Sequence, residues 1–167
     1  MTSSTAAIRQ MATVTSQAMR DRGTDVSCRT AMTTALTPEL AVAYVRELSA
    51  DVRAVVVLDA AGARLAGPEA LAEPARAFLA AAEGRPDAAA RTGDGLVLAA
   101  STPTHAVVVA AGPLSLVGPS ALDARTAVEA LSGAPGDAAA VAPDPAAAPV
   151  ALRTAAEAVI LATRSAI

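Results

Sequence analysis

Apolar and polar residues in the first clear block of the chain alternate in a way that predicts a helix followed by a hairpin. Thr37, Pro38 and Glu39 supply an N-cap, a first-turn proline and an acid near the positive end of the helix dipole. The apolar stripe of this helix comprises Leu40, Tyr44, Val45 and Leu48. Residues 53–59 form a β-branched run typical of a buried strand, and Asp-Ala-Ala-Gly then predicts a tight turn into a short returning strand.

Two further helices are predicted from apolar spacing. The second contains Pro74, which is tolerated in the first turn of a helix but would kink a longer one. Its predicted buried face comprises Leu71, Ala75, Phe78, Leu79 and Ala82. The third begins at Ser120 with a capping-box-like Asp123. Its predicted inward residues are Leu122, Val128 and Leu131.

Three more strands are predicted between these two helices. Residues 87–92 form a weak strand because they are poor in β-formers, whereas 96–101 and 105–111 are rich in Val and Leu. The order of these helices and strands, with a tight hairpin between the first two strands, predicts an α+β domain over residues 36–132.

The outer segments differ from this central domain. Residues 1–35 are predicted to be a helical lead-in and linker, and 133–149 an Ala- and Pro-rich linker that packs nothing. Residues 150–167 are predicted to form a C-terminal amphipathic helix. Its apolar side comprises Leu152, Ala156, Val159, Ile160 and Ile167.

Composition removes several classes of enzyme. The 167 residues include 13 basic ones, all Arg, so a P-loop lysine, a Schiff-base lysine and a Ser-x-x-Lys motif are impossible. One His and one Cys cannot build a Cys- and His-based zinc site. The Ala- and Arg-rich composition without Lys or Asn is typical of a high-GC bacterial genome and carries no functional weight.

Charge and hydropathy bear on the expected partners and cellular location of the protein. The net charge of −3 gives no basic footprint for nucleic acid, and no apolar run is long enough to span a membrane. Arg9 and Arg20 interrupt the N-terminus, so the sequence predicts no signal peptide. A single Cys fits a reducing compartment, and the expected location is the cytoplasm.

The residues that could act in catalysis or ligand binding have ordinary structural explanations. His105 lacks a catalytic context, and Cys28 lies in a polar linker without an activating partner. Gly-Asp-Gly at 93–95 leads into a strand and not a helix, which argues against dinucleotide binding. Asp59 and Asp94 could form an acid/base pair, although both occupy turn positions. The sequence therefore predicts no enzyme activity, no cofactor and no metal site.

The hairpin AVVVLDAAGARLA, the strands GLVLAAS and HAVVVAA, and the Pro-rich approach to a helix resemble the roadblock / dynein light-chain 7 family over residues 37–132. The type it resembles is bacterial and associated with small GTPases. This resemblance implies a five-stranded antiparallel sheet with helices on both faces (roadblock/longin/profilin-like), here with N- and C-terminal helical extensions. It also implies a homodimer or heterodimer that acts as an adaptor or regulator of a Ras-like small GTPase, without covalent chemistry.

The resemblance places an interface on the second helix and third strand, through which the family pairs. The candidate interface residues are Leu71, Phe78, Leu79, Arg85 and Arg91. Taken alone, the two arginines could contact an acidic partner or a phosphate, or could protect an edge strand from aggregation.

Two alternatives remain open at this level. The first is a small-ligand sensory module of the PAS or GAF type, which predicts a cavity lined by residues such as Val57 and Val108. The second is an enzyme that uses Asp59 and Asp94 at a shared cleft.

Overall fold

The computed structural model describes residues 36–133 and 142–165. The predicted lead-in helix, the linker that contains Cys28, and Ile167 of the last helix lie outside these described residues. In chain order the elements are α1 (Pro38–Leu48), β1 (Val52–Asp59), β2 (Arg64–Ala66), a 3-10 turn (Glu69–Leu71), α2 (Ala72–Ala81), β3 (Asp87–Arg91), β4 (Leu96–Ser101), β5 (His105–Ala111), α3 (Val117–Ser132), a second 3-10 turn (Pro145–Ala147) and α4 (Val150–Ser165).

The five strands form one open antiparallel sheet with the order β2-β1-β5-β4-β3. Its centre is the pairing of the two Val-rich strands, in which Val55 lies opposite Val109 and Val57 opposite Val107. The predicted α+β class with a five-stranded antiparallel sheet is therefore confirmed. No helix in the described ranges is both long and apolar enough to cross a membrane.

Helices cover both faces of the sheet, and alternate strand residues point to each. Helices α1 and α3 pack on one face, where the buried strand residues include Val55, Val57, Leu98 and Val109. Helices α2 and α4 pack on the other, where they include Ala54, Val56, Ala90 and Val108. The sheet is thus the middle layer of three, with a separate apolar core on each side.

The β1–β2 hairpin forms because one carboxylate organises the turn. Asp59 Oδ1 accepts hydrogen bonds from the N–H groups of Ala61 (2.9 Å) and Ala63 (2.8 Å). Gly62 adopts a φ of 79°, which a residue without a Cβ adopts at little cost. The turn that the Asp-Ala-Ala-Gly motif predicts is confirmed.

Helix α2 begins earlier than its proline, so Pro74 lies at the third helical position. The N–H of a residue in the first turn has no intrahelical acceptor, and a proline there costs no hydrogen bond. The first of the two options for Pro74, a place in the first turn, is the one observed.

Helix α3 begins at Val117, three residues before the predicted start. Val128 and Leu131 are buried as predicted, but the prediction for Leu122 is wrong because its side chain is half-exposed. The positions that α3 turns toward the sheet near its start are instead Ser120 and Ala124. Small residues there let the helix lie close to the strands.

The turn that precedes α4 lies at the β3 edge of the sheet. The turn Pro145–Ala147 contacts β3, and Ala148 is buried in the α2/α4 core. The expectation that 133–149 packs nothing is therefore wrong at Ala148. An unpaired edge strand is a site for unwanted pairing, and this segment partly covers it.

Helix α1 does not bury the whole stripe that its sequence predicts. Val45 is buried together with Ala41, whereas Leu40, Tyr44 and Leu48 are exposed. These three residues form a row on the outer surface of the helix, so Val45 is the one member of the predicted apolar stripe that is buried.

Candidate protein-interaction site

A groove of about 370 Å³ lies where the β1–β2 turn, the C-terminal end of α2 and the β4–β5 turn meet. We call it the hairpin groove. Its residues come from three separate parts of the sequence and are brought together by the antiparallel sheet, because β1 ends where β5 begins. The side chains and turn that define it are Gly62, Arg76, Leu79, Arg85, Thr102 and His105.

Arg76 joins helix α2 to the hairpin. Its Nη1 donates to the Gly62 carbonyl at 3.0 Å, and its Nε donates to Glu73 Oε2 at 3.1 Å. The Arg76 Cδ would lie 3.0 Å from a Cβ added at Gly62, so the guanidinium stem rests against the turn. Arg76 therefore holds one wall of the groove in place, with its charge partly neutralised by Glu73.

Arg85 is the less constrained cation of the hairpin groove. Its guanidinium is about half-exposed and lies 4.0 Å from the Glu83 carboxylate. An exposed ion pair of this kind contributes little to the stability of the fold. The two preceding residues, Glu83 and Gly84, both have positive φ values of 54° and 75°. This left-handed pair ends α2 and fixes the direction in which the chain leaves toward Arg85 and β3.

Hydroxyl groups and one imidazole form the opposite wall. Thr102 Oγ1 accepts from the backbone N–H of His105 at 3.2 Å and lies 2.7 Å from Ser132 Oγ. His105 Nδ1 is 3.0 Å from Thr104 Oγ1. These contacts tie the β4–β5 turn to the end of α3, so both walls of the groove are held by hydrogen bonds.

The five predicted interface residues occupy three different environments. Leu71 and Phe78 are fully buried under α2, so they contribute core packing and no surface in this structure. Leu79 and Arg85 come together in the hairpin groove. The interface at these positions stays a prediction, and its accessible part is Leu79 with Arg85.

Arg91 lies at the other end of β3 from Arg85. Its Nη2 donates to the Ser115 carbonyl at 2.9 Å, and its Nη1 donates to the Pro113 carbonyl. The guanidinium thus anchors the loop between β5 and α3. The structure separates the two arginines and gives Arg91 an intramolecular role.

A buried ion pair near the groove gives no signal in the sequence pattern. Arg125 of α3 pairs with Asp87 at the start of β3, and both side chains are largely buried. Arg125 also donates to the carbonyls of Ser101 (3.1 Å) and Pro86 (3.0 Å). It therefore fixes the α2–β3 loop, which carries Arg85, against the end of β4.

The carboxylates considered for an acid/base pair do not converge. Asp59 lies beside His105 at the start of β5. Asp94 lies in the turn before β4, and the first residue of β4 pairs with the last residue of β5. The rise of β5 separates these ends by roughly 20 Å. Asp94 pairs instead with Arg164 of α4 at 2.9 Å.

Gly95, the second glycine of the Gly-Asp-Gly sequence, has a packing role. A Cβ there would lie 2.5 Å from the Ala111 carbonyl oxygen and 2.8 Å from Cδ1 of Ile160. The glycine therefore allows the start of β4 to lie close to the end of β5 and to α4. Across residues 36–133 and 142–165, no three His, Cys, Asp or Glu side chains are grouped as a metal site would require.

The two residues named for a ligand cavity point in opposite directions. Val57 belongs to the α1/α3 core and Val108 to the α2/α4 core, so one cavity cannot be lined by both.

No protein-family model matches this chain, and a search of curated proteins finds no significant match. The case for function therefore depends on the fold and the groove.

Proposed function

We propose that this protein is a roadblock-like adaptor that binds a Ras-like small GTPase through the hairpin groove, and that it performs no covalent chemistry. The observation that carries the proposal is the order of elements around one antiparallel sheet. Helix, two strands, helix, three strands and helix follow one another as in the family that the sequence resembles.

The surface chemistry of the hairpin groove supports protein binding. It combines the apolar side chain of Leu79 with the exposed guanidinium of Arg85, and arginine beside an apolar contact is typical of interfaces. Arg76 and the Thr102 hydroxyl keep its walls fixed before a partner arrives. A preorganised surface loses less conformational entropy on binding.

The homodimer that the resemblance implies stays a prediction, and α4 sets a condition on it. Helix α4 packs against α2, and the turn before it contacts β3, which are the two elements expected to pair. A dimer through these elements would need α4 to move. Light scattering of the full chain, whose monomer mass is 16.4 kDa, distinguishes the two states.

The proposed function is tested with the small Ras-like GTPases of the same organism, each loaded with GDP or with a non-hydrolysable GTP analogue. The full chain is immobilised and the bound GTPase is quantified. We expect one GTPase to be retained in at least one nucleotide state. Absence of retention in both states for every such GTPase would contradict the proposal.

A matched pair of variants locates the surface. Arg85→Glu reverses the charge in the groove and is expected to reduce binding at least about tenfold, because like charges brought together across an interface repel. Arg153→Glu makes the same change at an exposed position of α4 and should leave binding unaltered. Equal effects of the two variants would place the GTPase elsewhere on the protein.

A further inference from the structure

The outer surface of α1 carries a row of large apolar side chains that the fold does not use. Leu40, Tyr44 and Leu48 are 56%, 38% and 49% exposed. They are spaced by four residues, so they lie one above another on one face of the helix. The row includes the only tyrosine of the chain, a residue type that is enriched at protein interfaces.

The packing of α1 does not need this row. The residues that α1 turns toward the sheet are Ala41 and Val45, both almost completely buried. The N-cap is supplied by Thr37, whose hydroxyl accepts from the Leu40 N–H at 3.3 Å. The helix is thus anchored by its inner face and its cap, and the outer row is left to solvent.

Further exposed apolar residues lie in the loop that passes the C-terminal end of α1. The loop before α3 exposes Leu114 (87%) and Leu116 (71%). This loop lies beside the α1–β1 connection, because the Gly112 N–H donates to the Asp51 carbonyl at 2.9 Å. Grouped exposed apolar residues of this kind mark an interaction site more often than scattered ones do.

The charged groups around the row are mostly acidic. Glu39, Glu47 and Asp51 are exposed, against the two exposed arginines Arg46 and Arg91. Within residues 36–133 and 142–165, the three acidic side chains take part in no ion pair. The acidic charge is therefore available to a partner.

This charge decides between the occupants that an apolar helix face could take. A second copy of the chain would bring the same acidic groups opposite each other, and an anionic membrane surface would repel them. A positively charged amphipathic helix would bury the apolar row and pair its cations with the acidic rim. We propose that the outer face of α1, with the loop before α3, is a second docking surface for a basic amphipathic helix of another protein.

The first arm of the test uses a designed helical peptide as the probe. It carries leucines at every fourth residue, flanked by lysines, and a control peptide replaces each lysine by glutamate. Fluorescence anisotropy on the full chain is expected to show saturable binding of the lysine peptide that weakens with salt, and no binding of the glutamate peptide. Binding of neither peptide, or of both equally, would overturn the proposal.

The second arm locates the site with variants of exposed residues. Leu40→Gln with Leu48→Gln removes apolar surface without changing charge and should weaken binding at least about tenfold. Leu161→Gln removes an exposed leucine of α4, on the other face of the sheet, and should change nothing. Unaltered affinity in the double variant would overturn the proposal.

Two further measurements distinguish a basic helix from the other possible partners of this surface. Glu47→Lys is expected to weaken binding of the lysine peptide several-fold, because it reverses one of the acidic charges beside the apolar row. Concentration-dependent self-association that Leu40→Gln and Leu48→Gln abolish would show a second copy as the occupant and contradict the proposal. Retention of the small GTPase tests a different surface, so either proposal can fail without the other.

Discussion

Helices α1 and α4 have similar apolar stripes in the sequence, but they turn different side chains toward the sheet. Helix α4 buries its large residues Leu152, Val159 and Ile160, whereas α1 buries Ala41 and Val45 and leaves its leucines outside. The strands beneath the two helices explain the contrast.

Helix α1 lies over β1 and β2, where the sheet presents Val55 and Val57. Helix α4 lies over β3 and β4, where the sheet presents Ala88 and Ala90 of β3 beside Val97 and Ala99 of β4. Large strand residues leave room for small helix residues, and the alanines of β3 leave room for large ones, because interiors are packed to constant density. In an Ala-rich protein, the strand opposite a helix decides which apolar residues become core.

The largest expected difference between the two helices concerns leucine truncation. Leu152→Ala removes a buried side chain of α4 and should lower the free energy of unfolding by about 2–5 kcal/mol. Leu40→Ala on α1 should change it by less than about 0.5 kcal/mol, since that side chain is already more than half-exposed. Denaturant unfolding measures both, and similar losses in the two variants would refute the contrast.

A small-to-large substitution on the buried face of α1 also tests the contrast between the two helices. Ala41→Leu forces extra volume between α1 and the valines of β1 and should cost about 1–3 kcal/mol of unfolding free energy. Ala43→Leu places the same side chain on the exposed side of α1 and serves as the control. If Ala41→Leu is tolerated as well as Ala43→Leu, α1 is not packed as closely as the structure indicates.

The smallest effect is expected for the ion pair between α4 and the β3–β4 turn. Arg164 and Asp94 are both more than half-exposed, so Arg164→Gln should change the unfolding free energy by about 0.5 kcal/mol or less. High salt should remove even this difference. A larger loss would mean that α4 is held by charge and not mainly by its apolar contacts.

The sequence predicts the central fold well because its signals are local. The run of valines before Asp59 and the turn glycine at 62 define the hairpin without reference to distant residues. The face of α1 and the position of Leu122 were not predictable, because they depend on the volume of the strand residues that each helix meets.

The hairpin groove was only partly predictable for a related reason. Leu79 and Arg85 lie near each other in the chain, and the resemblance selects them as candidates for the interface through which the family pairs, not as parts of a groove. Arg76 and Arg125 act through contacts with Gly62 and Asp87, at positions distant in sequence. Neither the contact of Arg76 with Gly62 nor the pair of Arg125 with Asp87 has a spacing that would reveal it before the strands are placed.

Amide hydrogen exchange is the most direct test of the proposed binding of a small Ras-like GTPase to the hairpin groove. The full chain is compared alone and with a retained GTPase in its preferred nucleotide state. We expect slower exchange at residues 59–63, 79–85 and 101–105, with the amides of α1 unchanged. Unchanged exchange in these three segments, or protection confined to other parts of the chain, would contradict the account.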